Sequence, residues 1–135
     1  MTAFEPLDLS WQGDLRFQGQ VGETTLTMDS GSKAGPSPVQ ALAFALAGCM
    51  GMDLVHILSK ARLAPVSLSI RISAERAPTE PKRFVSLSLH FALRGDVPED
   101  RVARALELSR QTYCSVWHSM RQDIEFKTSF EVTGS

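Results

Sequence analysis

GPSPVQALAFALAGCMGMDLVHIL, Gly35–Leu58, opens as a helix should. Ser37 stands at an N-cap position, Pro38 fits the first helical position, and Gln40 falls where a capping box needs its acceptor. The spacing predicts a helix from about Pro38 to about Ala61. Apolar residues occupy all of its sides, so the expectation is a helix buried nearly all round. Gly48 and Gly51 each cost about 1 kcal/mol against Ala inside a helix. Close packing at those points would explain them, with a second copy of the same helix the obvious neighbour. The strongest apolar run, Ala41–Met52, is too short to span a bilayer, and Asp53 and His56 follow at once.

On the N-terminal side, Leu7, Leu9 and Trp11 alternate, then Leu15 and Phe17, then Leu26 and Met28, with Gly13-Asp14, Gly19 and Gly22 between them. That pattern predicts a meander of short strands. DSGSKAGPSP, from Asp29 to Pro38, reads as a loop. On the C-terminal side, SLSIRISA and FVSLSLHFAL alternate with period two, so each should bury one face; APTEPK joins them as a long hairpin loop. GDVPEDRVARALELSRQTYCSVWHSM predicts a second helix or two short ones, with Asp96 and Glu99 as an N-terminal box. Val102, Ala105, Leu106, Ser109 and Tyr113 form its helical stripe. IEFKTSFEV alternates again, with Ile124, Phe126, Phe130 and Val132 on one side. The order predicts one α+β domain over residues 1–135, with helices packed on largely antiparallel sheet. A helix apolar on every side needs more cover than one small sheet, so a dimer is expected.

The chain has 135 residues, enough to bury a core without a disulfide framework. Lys and Arg number 14 against 15 Asp and Glu, for a net charge of −1. No basic patch argues for nucleic acid, and nothing argues for an anionic membrane. The start, MTAFEPLDLS, lacks the charged and apolar regions of a signal peptide. The expectation is a soluble cytoplasmic protein. There the two cysteines serve as reactive thiols or as plain core rather than as a permanent staple.

Cys49 reads in two ways. Free cysteine is often a small buried hydrophobe. A reactive Cys49 needs a thiolate, and it lies too deep in the helix for the dipole to help. Asp53, one turn on, opposes ionisation if charged. A cation from another segment is therefore required; Arg16, Arg71 and Arg121 are the candidates, though each such residue is more often a solvated surface charge. Cys114 is followed by His118, which faces the same side if that helix is regular and can favour a thiolate. A metal site is the rival reading, from Cys49, Asp53 and His56 or from Cys114 and His118. Cys49 and His56 stand about 10 Å apart along the axis, too far to grip one zinc together. Asp53 and His56 read more simply as helix-end polarity with hydrogen-bond partners. No phosphate loop, dinucleotide fingerprint or nucleophile elbow is present in the sequence.

GPSPVQALAFALAGCMGMDLVHILSK, with ARALELSRQTYCSVW far downstream, resembles the OsmC/Ohr family, named for osmotic induction and organic hydroperoxide resistance. MDLVHILSKAR and the short N-terminus are most similar to its YhfA-like branch, which has no firmly assigned substrate. The resemblance covers nearly the whole chain. It implies an OsmC-like fold: an intertwined homodimer whose long central helices are enclosed by sheets from both chains. It implies a thiol-dependent hydroperoxide reductase, active in oxidative stress, that uses no haem, flavin or metal cofactor. Cys49 matches the peroxidatic cysteine and Cys114 the resolving one, while Arg16 lies in the region of the family's activating arginine. The implied partners are a second copy of the chain, a hydroperoxide or apolar small molecule, and an external dithiol, with no nucleic acid and no membrane. Hydroperoxide-reducing members carry a glutamate directly after the proline that opens the helix, where it orients the arginine; here that position is Val39. The alternative is a non-catalytic stress-related protein that binds an apolar small molecule at the dimer cleft.

Overall fold

A computed structural model describes residues 2–134. The chain divides into two compact units, the first ending at Ala43 and the second beginning at Phe44.

The first unit is the expected meander. Strands β1 (Asp8–Trp11), β2 (Arg16–Val21) and β3 (Thr24–Asp29) pair antiparallel in that order. Gly22 turns β2 into β3 at φ +60, a left-handed conformation that glycine enters without penalty. The loop after β3 is built around Asp29. Its carboxylate accepts the Gly31 amide at 3.1 Å and the Ala34 amide at 3.1 Å. The Asp29 amide donates to the Pro36 carbonyl. Gly35 lies so close to β3 that a Cβ there would collide with the Thr27 carbonyl.

Helix α1 (Pro38–Lys60) begins in the first unit and runs on through the second. The capping box at its start is formed: Ser37 Oγ accepts the Gln40 amide at 3.2 Å, and Gln40 Oε1 accepts the Ser37 amide at 2.9 Å. By length and composition α1 could cross a membrane, with a mean hydropathy of 1.8 over its most apolar window. The short run Ala41–Met52 understated that reach, because the helix carries its apolar residues on to Leu58.

In the second unit, β4 (Ser67–Arg76), β5 (Phe84–Arg94) and β6 (Glu125–Thr133) form a sheet with β5 in the centre. Leu87, Leu89, Phe91 and Leu93 of β5 all point into the core, as the period-two pattern requires. β4 and β5 are antiparallel, but β5 and β6 are parallel, from Ser86↔Glu125 to Arg94↔Thr133. The largely antiparallel expectation is corrected at this edge. A parallel neighbour needs a crossover, and the helical segment from Glu99 to His118 supplies it.

Within the chain, α1 is covered only in part. Within this chain the helix buries one face, carrying Leu46, Met50, Leu54 and Leu58. Its other face stays exposed, with Phe44 at 62% and Met52 at 75%. An all-round apolar helix needs cover on all sides, and one small sheet covers one side. Gly51 meets its own sheet: a Cβ there would stand 2.9 Å from Ile70 Cδ1. Gly48 faces open space.

Helix α2 (Glu99–Leu108) starts at Pro98 with no side-chain cap, so the Asp96/Glu99 box is not formed. Glu99 and Asp100 in its first turn still complement the helix dipole. Its inner face carries Val102, Ala105 and Leu106, as the stripe predicts. The helix then widens into a π-turn, Ser109–Tyr113, and Cys114 leaves it in an extended conformation. Widening breaks the stripe, so Ser109 is buried while Tyr113 is 57% exposed.

Candidate functional site

Cys49 and Cys114 come together in the second unit. Cys49 sits on α1, half-buried, and Cys114 is fully buried at the end of the π-turn; both are free thiols. Cys114 is the N-cap of the short helix α3 (Ser115–His118), and its sulfur accepts the Trp117 amide at 3.4 Å. Burial pushes the Cys114 thiol up to about 11, and the adjacent Cys49 side chain adds to the rise. The Trp117 and Val116 amides pull the other way, since they favour a charged sulfur. Cys114 therefore holds its proton at neutral pH.

The turn that carries Cys114 is tied down on three sides. The Arg110 guanidinium lies 4.7 Å from the Phe126 ring centroid and 5.9 Å from that of Trp117. These rings are themselves 4.5 Å apart. His118 Nε2 donates to the Arg110 carbonyl at 2.9 Å. Ser109 Oγ donates to Asp53 Oδ2 at 2.7 Å, joining the turn to α1 one helical turn past Cys49. A bond of this kind to a carboxylate contributes about 1.5–3 kcal/mol.

His118 is thus not a neighbour of Cys114 on one regular helix face. The chain is extended at Cys114, and the imidazole turns back to the backbone instead. Asp53 takes the hydrogen-bond role expected of it. Its partner Ser109 was not anticipated. The signal was available, because Asp53 and Ser109 each interrupt an apolar stripe, and polar groups in such places pair. Among the described residues no three His, Cys, Asp or Glu side chains group to hold a metal ion.

Of the three candidate arginines, Arg71 and Arg121 belong to the second unit. Arg121 forms a bidentate pair with Asp123 at 2.6 and 2.7 Å on the surface. Arg71 is exposed on β4, across from His90. Arg16 belongs to the first unit, where it stands opposite Asp29 in the β2–β3 register and lies 3.6 Å from Asp14. Its Nε is buried with no hydrogen-bond partner among the described residues. Backbone amides of Ala34, Gly31 and Lys33 hold the Asp29 carboxyl below its usual range, with the Arg16 charge contributing. At position 39 the chain has Val, so no carboxylate follows Pro38.

Two grooves run along α1. One, lined by Gly48, Gly51, Met52, Val55, His56 and Leu68 among others, is open and mainly apolar. The other lies between α1 and the end of α2, with Asp53, His56, Lys60 and Tyr113 as its polar lining.

Comparison with known proteins follows the same outline. The family model described as "OsmC-like protein" matches residues 30–129. Protein YhfA of Escherichia coli (strain K12) is 33% identical over 131 residues, covering 94% of this chain and 97% of the relative. A crystal structure of a protein from Aquifex aeolicus VF5 superposes with a TM-score of 0.91 at 24% identity, covering 99% of each chain. A crystal structure of an organic hydroperoxide resistance protein OsmC from Legionella pneumophila superposes with a TM-score of 0.70 at 15% identity, covering 96% of this chain and 99% of the other.

Proposed function

Because the chain belongs to the family of OsmC-like proteins, we propose that it is a cysteine-based redox protein that reduces organic or lipid-like hydroperoxides. The observation that carries this reading is the pairing of two free thiols, one half-buried and one fully buried, at the end of a braced turn. The likeness in fold to a hydroperoxide resistance protein supports the choice of oxidant.

In this reading the Cys49 thiolate attacks the terminal oxygen of the hydroperoxide. The O–O bond breaks, the alkoxide leaves and takes a proton to become the alcohol, and Cys49 becomes a sulfenic acid. The Cys114 sulfur then attacks the Cys49 sulfur. An S–S bond forms, the S–O bond breaks, and the hydroxyl leaves as water with the Cys114 proton. An external dithiol returns both cysteines to thiols and is itself oxidised. Half-burial suits Cys49 to meet substrate, and full burial suits Cys114 to wait for the sulfenic acid. Arg16, which lies in the region of the family's activating arginine, is the candidate for the charge that stabilises the Cys49 thiolate, and Arg16→Ala should then slow the first step while leaving the second intact. The working form in this reading is a cytoplasmic homodimer.

Reduced protein treated with cumene hydroperoxide should lose both thiols rapidly and stoichiometrically, and Cys49→Ser should abolish the loss. Loss no faster than in an unfolded control would overturn the reading.

A second reading keeps the fold and drops the catalysis. The open apolar groove along α1 favours it, because that lining suits an apolar small molecule. Saturable binding of such a ligand, unchanged in Cys49→Ser and without thiol consumption, would select this reading.

A further inference from the structure

Ser109 grips two elements at once. Its hydroxyl donates to Asp53 on α1, and its carbonyl accepts the Cys114 amide at 2.8 Å. Asp53 lies four residues after Cys49, and Cys49 in turn faces Cys114. Cys49, Asp53, Ser109 and Cys114 therefore close a ring through one helical turn, two hydrogen bonds and one thiol contact.

The Ser109–Cys114 bond spans five residues, which is the bond of a π-turn. A plain α-turn would bond at four and leave Cys114 rotated by about 100° around the axis. The widening is thus what turns the sulfur toward α1. Ser109 is fully buried, so its hydroxyl has no water to fall back on.

The thiol chemistry gives no reason to keep a carboxylate one turn from Cys49, since a negative charge there opposes a thiolate. The partner of that carboxylate supplies the reason. We propose that Ser109 and Asp53 are positioning residues, a latch that holds the Cys114 π-turn in register with Cys49 and so sets how readily the two sulfurs join. The consequence for disulfide formation rests on the redox reading above; the placement of Cys114 does not.

Two measurements test the latch. The first is the equilibrium between the Cys49–Cys114 dithiol and its disulfide in dithiothreitol buffers. Ser109→Ala and Asp53→Ala should each disfavour the disulfide by about tenfold, which is a potential about 30 mV more oxidising. Asp53→Asn keeps an accepting oxygen and should stay within about threefold of the parent. The double variant should be no worse than either single one, because both break the same bond. Unchanged equilibria in both alanine variants would overturn the proposal.

The second measurement needs no disulfide. In a Cys49→Ser background, Cys114 should react with iodoacetamide at least about tenfold faster once Ser109 or Asp53 is replaced by alanine. An unchanged rate would overturn the latch. A parent protein that forms no disulfide would sink the redox reading alone, and the alkylation rates would still decide the latch. Asp53, half-buried on α1, gives the same readout should Ser109→Ala fail to fold.

Discussion

A thiol pushed up to about 11 by burial and by its neighbour sulfur is a slow nucleophile at neutral pH. If Cys114 attacks as its thiolate, the resolving step should accelerate about tenfold per pH unit between about pH 7 and pH 10, then level off near 11. Trp117, whose amide contacts the Cys114 sulfur, offers a fluorescence signal for that step. A flat profile would show that another group takes the proton. The same shift bears on stability. A raised folded pKa favours the folded state at pH values below the ordinary thiol range, and that contribution is lost as pH climbs through about 11. Asp29 works in the opposite sense. Its folded pKa is lowered, chiefly by the Ala34 and Gly31 amides, so its contribution is present above the usual carboxylate pKa and lost as pH falls through the lowered value. Asp29→Asn should therefore flatten the acid limb of the stability curve, measured by thermal melts across pH; an unaltered acid limb would contradict that role.

Among the elements, the link from β3 into α1 is the tightest. Gly35 passes against the Thr27 carbonyl, and backbone there cannot yield as a side chain can. Gly35→Ala should cost about 2–4 kcal/mol in chemical denaturation, whereas a loss under about 0.5 kcal/mol would show that the loop relaxes freely. The start of α1 was legible in the sequence because a capping box is local: Ser37 and Gln40 need only each other. The faces of β4 and β5 were legible because alternation records burial directly. The π-turn was not, since nothing in SRQTY distinguishes it from helix until Ser109 is seen to be held by Asp53, 56 residues away in sequence. The parallel seating of β6 was equally hidden, because alternation in Phe126, Phe130 and Val132 says which face is buried and nothing about strand direction. The two cysteines were legible as a pair only through the family resemblance; their own spacing carries no such information.

For the whole molecule, the apolar surface left outside is the outstanding fact. Leu42, Phe44, Met52 and Val55 of α1 are exposed, and so are Leu9, Trp11 and Leu26 of the N-terminal sheet. A stable interface buries about 800 Å² per partner, and exposed large apolar side chains are what such an interface covers. Sedimentation should give a species of about 30 kDa, twice the 14.8 kDa chain, and Met52→Glu should shift it toward monomer. A monomer at micromolar concentration would leave that surface without its proposed cover. Above all, the proposed chemistry requires two sulfurs that react with each other. Reduced protein should be given one equivalent of an alkyl hydroperoxide, quenched with an alkylating agent, digested and mapped by mass spectrometry. The expected product is a Cys49–Cys114 linked peptide, lighter by about 2 Da than the sum of its parts. Alkylated thiols at both positions, or Cys49 oxidised to sulfinic acid beside an untouched Cys114, would contradict it.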